Sequence, residues 1–198
     1  MEEKRPPAVD INGSMNETDK DRFLIVKAKD GDKNAYGRLV LKYQRRLVRQ
    51  IFMMMGRMET AEDIVQEAFV KGYLALDSFD INRPFYPWIT RIARNLALNR
   101  IKRESKMSAF SELDETEIDL PDLSDNPLDS LIDKENDRRL AQAVLALPIP
   151  FRIVFVLRMV EEMSYEDIAG KLNISAGTVN SRLSRAREKL VRMLKDLL

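Results

Sequence analysis

SYEDIAGKLNISAGTVNSRLSRAREKL, residues 164–190, is the stretch from which the rest of the chain is best read. Ile168, Ala169 and Leu172 share one face of a short helix, while Val179, Leu183, Ala186 and Leu190 repeat at the spacing of one face of a second. Ser164, with Asp167 three residues on, and Ser175 are placed to cap the two first turns, which leaves only Asn173 and Ile174 between the helices. Two apolar faces joined by so short a turn pack against each other, and the sequence predicts a helix-turn-helix. Asn180, Ser181, Ser184 and Arg185, with Thr178 in the first turn, lie off the apolar stripe and are of the kinds that read base edges in a major groove. Arg182, Arg187, Lys189 and Arg192 suit phosphate contacts, and the segment 175–192 carries a net charge of +4. A structural hairpin with a solvated basic face is the alternative. Two caps, a minimal turn and an acid-poor second helix weigh against it.

The 198 residues can form one large or two small domains, and their net charge of +1 conceals strong segregation. Residues 33–58 hold seven basic and no acidic side chains, and residues 83–103 six basic and none acidic; residues 104–135 hold eleven acidic and two basic. Such blocks describe surfaces that attract phosphate and a connector that avoids it. Cysteine and histidine are absent, which excludes disulfides, Cys/His zinc sites and histidine acid-base chemistry and weighs against an enzyme; no cofactor or metal is expected. No apolar run reaches the length of a membrane span and the N-terminus lacks a signal-peptide core, so no membrane insertion and a cytoplasmic location are expected.

In chain order, residues 1–18 read as a flexible tail, in which Met15 is a second possible start. Helices follow from about Asp19 to Lys29 and from about Asn34 to Met55. The second buries Tyr36, Leu39, Val40, Tyr43, Leu47, Ile51 and Met54 and leaves Arg38, Lys42, Arg45, Arg46 and Arg49 outside. Met53, Met54, Met55 and Met58 read as adaptable core rather than as a groove. Thr60, with Asp63 three residues on, is expected to open a third helix whose Ile64, Val65, Ala68, Phe69, Gly72 and Leu76 face inward. Glu62, Asp63, Gln66, Glu67 and Val70 remain outside. That acidic face suits docking to a basic partner or, equally, a solvated first turn where acids favour the dipole.

A fourth helix begins near Pro84, with Phe85, Trp88, Ile89, Ile92, Ala93 and Leu96 inward; Phe85 and Trp88 read as core rather than stacking platforms, and Tyr86 is off the stripe. Arg83, Arg91, Arg94, Asn95, Asn99, Arg100, Lys102 and Arg103 surround that stripe after a polar loop from Phe79. Basic and amide residues interleaved with aromatics suit single-stranded or opened nucleic acid. Periodicity is lost over 104–126, which reads as an acidic linker. Asn126-Pro127 is expected to open a helix to about Ala146; Pro148 and Pro150 break the chain before a helix from Arg152 to Glu162, whose Ile153, Val154, Val156, Leu157 and Val160 support the helix-turn-helix.

AEDIVQEAFVKGYLALDSF, FYPWITRIARNLALNRIKR, the acidic linker and LPIPFRIVFVLRMVEEMSYEDIAGKLNISAGTVNSRLSRAREKL together resemble the extracytoplasmic-function, sigma-E-like class of bacterial RNA polymerase sigma factors, over nearly everything after Asp21. The resemblance implies an all-α protein of two small helical domains, 19–103 and 127–198, joined by the acidic flexible linker, the second carrying the helix-turn-helix. It implies binding to RNA polymerase core, promoter recognition, DNA melting and initiation at a stress or envelope regulon. Asp63, Gln66 and Glu67, flanked by Glu62 and Val70, match the helix that meets the clamp of the largest subunit, and the C-terminal domain would meet the flap. Phe79 and Asn95 match positions that hold a flipped base of the melted −10 element; Asn180, Ser181, Ser184 and Arg185 match the −35 readers. Asn180 stands where related proteins often carry Arg, and Ser184 where some carry an aromatic, so their promoter preferences do not transfer. An anti-sigma factor is an expected partner. A helix-turn-helix regulator that never binds polymerase core is the competing reading, and the face of the third helix argues against it.

Overall fold

The computed structural model describes residues 17–107 and 135–195. The expected tail over 1–16, with Met15, most of the acidic linker and the helix opening at Asn126-Pro127 lie outside the described residues. In the N-terminal half, α1 (Glu17–Lys29), α2 (Lys33–Met55), α3 (Met58–Leu74), a 3-10 turn (Leu76–Ser78) and α4 (Phe85–Met107) pack around a shared core. The C-terminal half contains α5 (Glu135–Leu145), α6 (Ile149–Met159), α7 (Tyr165–Leu172) and α8 (Ala176–Lys195). All described elements are helical, and none is long and apolar enough to cross a membrane.

α2 is the axis of the N-terminal half, touching α1, α3 and α4. Asp32 caps its start, its carboxylate accepting from the N–H groups of Asn34 and Ala35 at 2.9 and 3.1 Å. Its inward stripe is as expected at Tyr36, Leu39, Leu47, Ile51 and Met54; Val40 and Tyr43 are half-buried, and Phe52 is an additional fully buried ring. Lys42, on the outer face of α2 as expected, ties α1 to α2 through Glu17 and Asp21, each at 2.6 Å, and Tyr43 donates to the same Asp21. These bonds explain why α1 starts at Glu17, inside the expected tail. Gly72 lets α3 and α4 approach: a methyl there would lie 2.6 Å from Ile89 and 2.9 Å from the Tyr36 hydroxyl, which donates to the Phe69 carbonyl at 2.6 Å.

Four further boundaries differ from the sequence expectation. α2 ends at Gly56 in the left-handed conformation (φ 75°) and α3 restarts at Met58, so Thr60 is a buried residue inside the first turn rather than a cap. α4 runs past Arg103 to Met107, carried across the composition change by an Arg100–Glu104 pair at 2.5 Å. Pro150 sits in the first turn of α6, where no backbone donor is needed, so only Pro148 lies outside that helix. α6 stops at Met159, which leaves Val160 half-exposed rather than in the core.

The halves touch. α5 and α6 both pack on α2, and Arg152 of α6, 5% exposed, donates to the carbonyls of Leu145 at 2.7 Å and Met55 at 3.3 Å. Its guanidinium thus sits where two helices present their negative ends. Burial pushes its pKa down to about 10. A methyl on Gly56 would come within 2.9 Å of that guanidinium, so Gly56 serves both the left-handed cap and the contact between halves.

Candidate nucleic-acid interface

The helix-turn-helix forms as the sequence predicts. Ser164 accepts from the N–H of Asp167 at 3.0 Å, Asn173 turns the chain in the left-handed region (φ 56°), and Ser175 accepts from the N–H of Thr178 at 3.0 Å. Ile168 of α7 and Val179, Leu183, Ala186 and Leu190 of α8 are buried between the two helices and α6. Asn180, Ser181, Ser184, Arg185 and Arg187 are exposed together, while Thr178, Arg182 and Lys189 are half-buried at the edge of the stripe. Ser181 donates to the Thr178 carbonyl at 3.0 Å and Ser184 reaches Glu188 at 3.4 Å. Burial lowers the pKa of Arg182, which sits against the protein rather than standing free.

Glu62, Asp63, Gln66, Glu67 and Val70 are all exposed on α3, and Leu74 extends their face by one turn at 77% exposure. Glu67 is tied locally to Lys71 at 3.0 Å across one turn. Among the described residues, none of α5 to α8 packs extensively on α3, and these side chains stand exposed.

The α4 surface is different. Arg91, Asn95, Asn99, Arg100, Lys102 and Arg103 are exposed as expected, and so is Arg83, which lies 3.6 Å from Asp80. Phe79 requires correction. Its ring is 4% exposed, packed on Trp88 at 4.7 Å between centroids and on Phe85 at 6.0 Å, and offers no face to a base. Trp88 itself is only half-buried, at the edge of this cluster. A loop has no periodicity from which to tell inward from outward.

Arg94 and Tyr86 are also not free. Glu161, in the turn after α6, pairs with Arg94 at 2.5 Å and accepts from Gln50; Gln50 in turn accepts from the Tyr86 hydroxyl at 2.7 Å. The Arg46 guanidinium stacks on the Tyr86 ring at 4.1 Å. Both members of the ion pair are largely buried, the Glu161 side chain at 5% exposure and Arg94 at 12%. Nearby, Lys171 of α7 has its pKa lowered by burial and then by the guanidiniums of Arg94 and Arg91, opposed by Asp167 and Glu161. Thus the turn after α6 covers one edge of the basic surface of α4. Sequence reading missed Gln50 and Glu161, which lie more than a hundred residues apart and carry no shared pattern.

Comparison with known proteins gives this arrangement a family. Residues 39–107 match the family described as Sigma-70 region 2, and residues 137–190 match Sigma-70, region 4. The chain belongs to the extracytoplasmic-function sigma factors. It is 37% identical over 188 residues to the ECF RNA polymerase sigma factor SigW of Bacillus subtilis, covering 87% of this chain and 96% of that protein. The ECF RNA polymerase sigma-E factor of Escherichia coli K12 is 32% identical over 191 residues, covering 93% and 99%. The fold is that of the sigma factor RpoE of Bartonella quintana, solved with the anti-sigma factor NepR, at a TM-score of 0.50 and 23% identity over 81% of this chain and 96% of that one. The protein is therefore an RNA polymerase sigma factor, and its two matched regions contain α3 with α4 and the helix-turn-helix respectively.

Proposed function

We propose that this sigma factor divides its work among three surfaces. Glu62, Asp63, Gln66, Glu67 and Val70 dock on the clamp of the polymerase's largest subunit; Arg83, Arg91, Asn95, Asn99, Arg100, Lys102 and Arg103 receive the melted −10 strand, joined by Arg94 and Tyr86 once Glu161 is displaced; Thr178, Asn180, Ser181, Ser184 and Arg185 read the −35 duplex while Arg182, Arg187 and Lys189 meet phosphate. Residues 19–103 and 127–198 form the two working domains, the second also meeting the flap, and the acidic linker follows the path of RNA. The protein acts in the cytoplasm by binding rather than by bond chemistry. The observation that carries this reading is an open acidic face on α3 in the same chain as a capped helix-turn-helix with an exposed basic and amide face.

An anti-sigma factor, such as accompanies RpoE of B. quintana, would regulate this chain by occupying one or more of these faces. The test is reconstitution with core polymerase, followed by promoter-dependent run-off transcription. Core capture with promoter-specific initiation is expected; DNA binding without core capture would favour a stand-alone regulator. Arg185 is exposed on α8 and an arginine can grip a guanine through two hydrogen bonds, so Arg185→Ala should cost about 1–3 kcal/mol at one promoter position and relax the preference there. Duplexes varied base by base measure this directly. A uniform loss on all of them would mean that Arg185 meets phosphate instead.

A further inference from the structure

Lys29 is the last residue of α1 and lies roughly fifty positions before the loop that leads into α4, yet its ammonium is spent on that loop. Nζ donates to the carbonyl of Asp77 at 3.0 Å and to that of Phe79 at 2.7 Å. Its backbone is itself fixed, because the chain reverses immediately afterwards through Gly31 (φ 95°) into the Asp32 cap of α2. The loop is also tied internally. Asp80 accepts from the N–H and the amide group of Asn82 at 3.0 and 3.1 Å, and its carbonyl accepts from the N–H of Arg83 at 3.0 Å. Phe79 anchors its ring in the core while Asp80, Asn82, Arg83 and Pro84 remain exposed.

We infer that Lys29 is a positioning residue for promoter-strand recognition: by gripping the Asp77 and Phe79 carbonyls it holds the 79–83 loop in the one register that lets an unpaired base be discriminated. The inference rests on the proposed role of α4 and its preceding loop as the melted-strand surface. Unpaired bases are read by fixed hydrogen-bonding groups and apolar walls, and a wall that drifts by an ångström loses discrimination before it loses affinity for the backbone. With the Phe79 ring turned inward, selectivity falls to the loop's main chain and its short polar side chains, whose placement depends on the tie. An ammonium suits the task because it carries three donors and can satisfy two carbonyls at once with charge-assisted bonds. Its position at the negative end of α1 adds a small stabilising effect that any cation would provide. That structural contribution has no base preference, which separates the two roles.

The test uses holoenzyme assembled from core polymerase and the full chain. The probes are fork-junction DNAs whose non-template strand is unpaired over the −10 element and varied one base at a time. Lys29→Met, which keeps the length of the stem but has no donor, should weaken the preferred sequence about tenfold while leaving disfavoured bases unchanged, flattening the profile at one or two positions. Lys29→Arg should restore most of the preference. Amides of Phe79 and Arg83 should exchange faster with solvent in Lys29→Met, which reports the loosened loop in the free protein. Should Lys29→Met not assemble with core, Lys29→Gln, with a neutral donor in its place, must show an intermediate profile. An unchanged profile, or equal weakening of every sequence, overturns the inference. Asn95→Ala, measured alongside, probes the underlying surface. If it impairs strand binding while Lys29→Met does not alter the profile, the positioning role alone is wrong; if neither matters, the melted-strand reading fails as well.

Discussion

α3 and α4 are neighbours in sequence and in space, both turn charged and amide residues outward, and yet they meet solvent differently. The face of α3 from Glu62 to Leu74 is open, whereas one edge of α4 is held by Glu161 through Arg94 and, by way of Gln50, Tyr86. Their own helical periods do not distinguish them. The difference comes from α6, whose early stop at Met159 delivers Glu161 to the side of the N-terminal half. If the proposed roles hold, the open face of α3 would let the free protein find a partner, while the Glu161 carboxylate on α4 would discourage DNA until the halves part. Arg94 Nε is buried with no hydrogen-bond partner among the described residues, so the pair is imperfectly satisfied.

The largest expected effect removes the distinction altogether. Phe85 is fully buried against Tyr36, Tyr43, Phe79 and Trp88, in the core cluster that α3 and α4 share. Phe85→Ala should cost about 3–5 kcal/mol of stability by thermal or denaturant melting, with core docking and strand binding lost together. Loss of strand binding alone, with melting unchanged, would show that the two surfaces do not share this support.

Next comes a substitution that should affect only the open face. Replacing Gln66 and Glu67 together by Ala should weaken core binding by about 1–3 kcal/mol while helicity and melting stay nearly constant, since both side chains are exposed in the free protein. Normal core binding by the folded double variant would remove α3 from the docking role.

Glu161→Gln addresses the covered face. The amide retains the shape of the carboxylate but not its charge, so the halves should separate more readily. Affinity of the free full chain for an unpaired −10 strand should rise about fivefold, equivalent to roughly 1 kcal/mol of released closure, and small-angle scattering should report a larger radius. Docking to core should not change. An unaltered strand affinity would mean that Glu161 covers nothing the DNA uses.

The smallest effect is expected away from both faces. Lys189→Ala, at the edge of the α8 stripe, should lower the salt slope of −35 duplex binding by about one unit for every sequence alike and leave core docking and −10 strand binding untouched. A change in either N-terminal activity would mean that the helix-turn-helix covers more of α4 than the Glu161 contact.

Most helices, the inward residues of α3 and the whole capped geometry from Ser164 to Ser175 were legible in the sequence. Each depends on residues within one or two turns of each other, and local hydrogen bonds and a 3.6-residue period suffice to specify them. The sequence also separated the acidic face of α3 from the basic face of α4. Tertiary structure alone decided what became of the charges. Lys42 reads as an outer residue of α2, but it ties Glu17 and Asp21; Lys29, marked by the sequence only as the end of a helix, holds the loop carbonyls. Arg152 looked like the start of a helix and is a buried guanidinium on two helix ends; Phe79 looked like a ring for a base and is core; Arg94 looked free and is paired. The physical reason is common to all five. A helical period says which side of an element faces its own core, but a long side chain or a loop residue is committed by whatever lies across from it, and that partner is on another element, from 7 positions away for the Leu145 carbonyl on Arg152 to 97 for that of Met55.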